Sequence, residues 1–78
     1  MPEYDAITEW QGRMKAWGAA ARQEYERRMR AAGREAGIHY DGTWETAERI
    51  DAGGQIARDV AALFAPTRPK MPRPKNNS

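Results

Sequence analysis

Apolar residues recur at helical spacing through the first part of this chain: Tyr4, Ile7, Trp10, Met14, Trp17, Ala21, Tyr25, Met29 and Ala32. Steps of three and four place them on one side of a helix, over an arc of roughly 140° at about 100° per residue, wider than a strict two-stranded seam. Such an arc predicts a helix that faces a core. From Glu3 to about Ala36 that helix is about 50 Å long at about 1.5 Å per residue, whereas the apolar residues after it fit a segment of about two-thirds that length. The leading end of the stripe therefore has to be covered by the C-terminal residues or by another chain.

Size sharpens the point. The sequence has 78 residues, no cysteine and His39 as its one histidine, so a disulfide framework and a thiolate zinc site are both excluded. Ordering roughly 60 residues costs on the order of 90 kcal/mol, which at about 25 cal/mol per Å² calls for several thousand Å² of apolar burial. Two helices alone struggle to supply that, and self-association or a protein partner is the remaining route. No run is apolar enough for a signal peptide or a membrane span, so the expected setting is the cytoplasm or a virion, with no membrane partner. Frequent alanine, arginine and glycine beside scarce lysine and serine look like the coding bias of a GC-rich bacterium or its phage.

The expected fold class is all-α: a long N-terminal helix packed antiparallel on a shorter second helix as a helical hairpin, followed by an extended, proline-rich, basic tail. Pro2, Glu3 and Asp5 suit the first turn of the helix over about 3–36, and arginines crowd its other end, in agreement with the macrodipole. Gly33 and Gly37 each offer a left-handed stop; with Gly37 just past the end, Ile38 folds back toward Ala32 or Met29. Residues 37–43 make the connection, and Thr43 N-caps a second helix over about 44–64, with Thr46 where a full capping box would hold glutamate. That helix stops before Pro66. Gly53-Gly54 costs it about 2 kcal/mol relative to alanine. Continuity or a mild kink is preferred there to a break, because no turn residue other than glycine accompanies the pair.

In this hairpin Met29 falls near Ala47, Tyr25 near Ile50, Ala21 near Gly54 and Trp17 near Val60, which leaves Tyr4, Ile7 and Trp10 over. Charge is segregated along the chain: three acids and no base in residues 1–12, seven bases against two acids in 13–34, six acids against two bases in 35–64, and four bases with no acid beyond. The basic half of the first helix thus lies against the acidic start of the second, although exposed pairs are individually weak. Residues 65–78 hold Pro66, Pro69, Pro72 and Pro74 at a spacing suited to polyproline II.

The inventory for catalysis is thin. The only serine is Ser78, His39 has no fixed relation to a nucleophile, and Gly53-Gly54 lacks the lysine and the preceding strand of a phosphate loop. Of the carboxylates Glu45, Glu48, Asp51 and Glu35 that a metal site would need, Glu45 and Glu48 with Arg49 read as the solvated face of an amphipathic helix instead. No catalytic residue, metal or cofactor is expected. The leading expectation is a non-enzymatic helical interaction or assembly protein, a small structural or accessory component such as a phage particle carries. It would self-associate as a homo-oligomer or dock on a larger assembly through Tyr4, Ile7, Trp10, Met14 and Trp17. A small regulator or inhibitor of a host enzyme or nucleic-acid machine is the alternative. Nucleic-acid binding is a third reading, in which Arg27, Arg30 and Arg34 on one helical face and Arg68, Lys70, Arg73 and Lys75 in the tail contact phosphates or an acidic surface.

Overall fold

A computed structural model describes residues 5–73, and these form three α-helices with no strand: α1 (Ala6–Ala36), α2 (Trp44–Ile50) and α3 (Gln55–Phe64), followed by one 3₁₀ turn (Ala65–Thr67). Tyr4 and Lys75 lie outside the described residues. The molecule is elongated, 56 × 25 × 17 Å with a radius of gyration of 17.4 Å, against about 11.5 Å for a compact domain of this length.

α1 starts at Ala6, because Asp5 is extended and its carboxylate accepts from the N–H groups of Ile7 and Thr8 at 3.1 and 3.2 Å. Those are two of the four donors that a helix start leaves without partners. The Thr8 hydroxyl adds a bond to the same carboxylate at 2.6 Å, and these contacts hold Asp5 below the usual carboxylate range. At the far end Gly37 is left-handed at φ 74°, the Ile38 N–H bonds the Gly33 carbonyl at 2.8 Å and the Gly37 N–H bonds that of Arg34 at 3.3 Å. This 6→1 and 5→2 pair is the Schellman arrangement. Gly33 stays helical and buried, and its role is close packing: a Cβ there would strike the Ile38 carbonyl oxygen, with Ile50 Cδ1 only 3.1 Å away.

The connection is fixed by Asp41. Its Oδ1 accepts from the Thr43 N–H at 2.9 Å and the Thr43 hydroxyl at 2.7 Å, which holds the carboxyl down at about 2. The Thr43 oxygen in turn accepts from the Thr46 N–H at 3.2 Å and caps α2. Asp41 thereby supplies the acceptor for the Thr43 N–H that a capping-box glutamate would have given, and Thr46 is free to be buried against the core.

The second helix is not continuous, contrary to the expectation from its pattern. α2 ends at Ile50, Gly53 and Gly54 are left-handed at φ 92° and 71°, and α3 begins at Gln55. The residue overlooked is Asp51. Its backbone leaves helical geometry and its carboxylate accepts from the Ile56 N–H at 2.8 Å, so a side chain two positions before the glycines supplies a donor's partner for the new helix. With the break, Ile50 sits against Gly33, and Tyr25 meets Tyr40 edge to face at 6.4 Å.

Candidate interaction surface

Among the described residues only two apolar side chains larger than alanine are buried, Met29 at 1% and Val60 at 5% exposure. Four large ones stand in solvent: Trp44 at 74%, Met71 at 64%, Leu63 at 54% and Ile7 at 43%. Transfer of such side chains out of water is worth about 1.5–3 kcal/mol each.

Of the five residues expected to carry the contact, Tyr4 is outside the description, Ile7 is exposed, and Trp10, Met14 and Trp17 are half-buried. The C-terminal residues supply part of that cover. The Trp17 indole N–H donates to the Phe64 carbonyl at 2.9 Å, and the Trp10 indole N–H donates to the Pro69 carbonyl at 3.3 Å. Both bonds follow from the local sequence. Pro66 and the 3₁₀ turn end α3, and the Phe64 carbonyl accepts from Trp17 and from the Thr67 hydroxyl at 3.1 Å. The Arg68 guanidinium then lies 5.4 Å from the centre of the Trp17 ring, a cation–π contact.

Between α1 and α3 the small side chains Ala21, Ala57 and Ala61 leave an apolar cleft of about 580 Å³, lined also by Trp17 and Phe64 and by Arg22 and Arg68. Tyr25 and Ala57 also wall the next hollow, about 310 Å³, whose other walls include Met29, Trp44, Glu48 and Asp51. The two meet at Tyr25 and Ala57 as one trough, with Arg22 and Arg68 among the walls of the first hollow and Glu48 and Asp51 among those of the second. Burial pushes the Tyr25 phenol up, with Tyr40 and Asp51 adding to the shift.

The arginines of α1 differ in their partners. Arg27 pairs with Glu24 at 2.6 Å and Arg28 shares that carboxylate at 2.7 Å, so Glu24 titrates down at about 2. Arg30 and Arg34 line a small hollow with Ile38, His39 and Tyr40. In the C-terminal segment Arg68 is turned onto Trp17, Lys70 lines a hollow with Trp10 and Met71, and Arg73 is exposed. Among the described residues no group of three side chains could hold a metal ion, and no helix is long and apolar enough to cross a membrane.

Exposed Trp44 and the trough are features that sequence reasoning missed. A signal for Trp44 was present: it stands two positions before Thr46, and residues two apart on a helix point to opposite sides, so an inward Thr46 turns Trp44 out. No family model, curated protein or solved structure matches this chain.

Proposed function

We propose that this chain is a non-enzymatic helical interaction protein that self-associates or docks on a larger assembly through apolar surface on its helices. The observation that carries the reading is the imbalance between two buried apolar side chains larger than alanine and four large exposed ones among the described residues. A domain this small has little stability to spare, and burial of those side chains against a second molecule supplies what its own core lacks. The stripe of Tyr4, Ile7, Trp10, Met14 and Trp17 contributes Ile7 and the open flanks of the two indoles to that surface, beside Trp44 and Leu63. Charge fixes orientation, and the aromatic anchors supply affinity. The coding bias supports a small structural or accessory component of a GC-rich bacterium's phage.

The test is a sedimentation series on the full chain, joined to affinity capture from the native source. Self-association, or saturable capture of one protein that Trp44→Ser weakens, is the expected result. A folded chain that stays monomeric and captures nothing overturns the proposal. Tight binding to duplex DNA or RNA, lost steeply with salt, replaces it with the nucleic-acid reading.

A further inference from the structure

We infer that two copies of this chain associate face to face over the trough between α1 and α3, antiparallel, with the acidic end of each trough against the arginine rim of the other. The inference rests on the self-association arm of the function proposed above and says which surface carries it.

The sign pattern of the trough is the argument. Arg22 and Arg68 are among the walls of the first hollow, and Glu48 and Asp51 are among those of the second. Glu45 and Arg49, also on α2, do not line it, nor does Arg58, whose guanidinium is held on the Gly53 carbonyl at 2.7 Å. Ion pairs among the described residues join Arg13 to Glu9 and Arg27 and Arg28 to Glu24, so neither Arg22 nor Glu48 has a partner among them. A two-fold contact is self-complementary: whatever residue i meets, its counterpart meets i in return. A copy rotated about an axis through the middle of the trough brings Glu48 to Arg22 twice, whereas a parallel copy would set arginine against arginine. Complementary charge of this kind selects partner and register.

Shape agrees with charge. Tyr25 and Ala57 wall both hollows, so the middle of the trough, where the axis falls, is marked by them. Ala21, Ala57, Ala61 and Ala65 line the cleft beside the buried Val60, while Trp44 lines the acidic hollow with 74% of its surface open. A projecting indole at one end and a small-residue hollow at the other make a surface that fits a rotated copy of itself. Aromatic anchors entering such hollows dominate interface energies.

Sedimentation of the full chain and of exposed-position variants tests this. Dimer is expected for the wild type. Glu48→Arg or Arg22→Glu alone should raise Kd about tenfold, and the two reversals together should restore it to within about threefold. Ala57→Cys, in a chain with no other cysteine, should give a covalent dimer with a short bis-maleimide, and Gln23→Cys on another face should not. A wild type that is monomeric at every concentration overturns the inference and leaves docking on a different protein standing. A dimer indifferent to both charge reversals and uncrosslinked at Ala57→Cys overturns it too, while self-association through another surface survives. A cleft that binds an amphiphilic anion or an acidic foreign helix, with no dimer, assigns the trough to that ligand instead.

Discussion

Trp17 and Phe64, 47 positions apart, are joined by an indole N–H that donates to a helix-end carbonyl at 2.9 Å. This bond ties the end of α3 to the middle of α1 and starts the C-terminal residues on their course past Trp10. Trp17→Phe keeps most of the ring and removes the donor. The Phe64 carbonyl retains the Thr67 hydroxyl, so the loss should be about 1 kcal/mol, read as a lower urea midpoint at unchanged slope. Trp17→Ala, which also removes the surface under Arg68, should cost clearly more.

Three glycines of one helix should respond with opposite signs. Gly12 and Gly18 have open space where a Cβ would stand, so alanine at either should stabilise by about 0.5–1 kcal/mol through helix propensity. Gly33→Ala must push aside the Ile38 backbone carbonyl and Ile50, and should destabilise by about 1–3 kcal/mol despite the same propensity gain. Thermal unfolding of the three variants side by side is the check; a stabilised Gly33→Ala would contradict close packing of Gly33 against the Ile38 carbonyl.

The turn between α2 and α3 makes a claim of its own. Both glycines are left-handed, a geometry that costs other residues roughly 1–2 kcal/mol each. Gly53→Ala with Gly54→Ala should therefore lower stability, even though alanine favours helix. Increased helicity by circular dichroism together with greater stability would restore the single continuous helix. Asp51→Ala should cost about 1 kcal/mol by leaving the Ile56 N–H without its carboxylate.

Acid sensitivity follows from two carboxylates. Asp41 and Glu24 titrate at about 2 in the folded chain, below the roughly 3.9 and 4.3 of unfolded aspartate and glutamate. A depressed folded value means that each contribution is fully present above the unfolded value and is lost as pH falls through the folded one. Stability should therefore decline from about pH 4 toward pH 2, and Asp41→Asn should both lower it at neutral pH and flatten the decline. Urea titrations across that range, with carboxylate shifts followed by NMR, measure it.

How much of this was legible from residue order depends on the distance over which each signal acts. The long first helix is written in its own periodicity, and the Asp5, Gly37 and Thr43 ends depend on residues a few positions away. The break at Asp51 was missed because a carboxylate that caps forward by five positions leaves no mark on the apolar pattern. The second helix also reads equally well either way, since Ile50, Ala57, Val60 and Phe64 supply apolar groups to a bent or a straight rod. The surface was least legible. Whether Trp10 meets Pro69 or solvent, and whether Arg68 lies on Trp17 or reaches outward, depends on how the chain runs after Pro66, and proline spacing reports extension but not direction.

The solvent-facing indole on α2 gives the molecule a built-in optical witness. Trp10 and Trp17 are each half-buried, so water-quenched, red-shifted emission from the folded chain belongs chiefly to Trp44. Anything that settles over that corner will announce itself as a blue shift without any label having been attached, and the spectrum of a dilution series then records when the corner is bare.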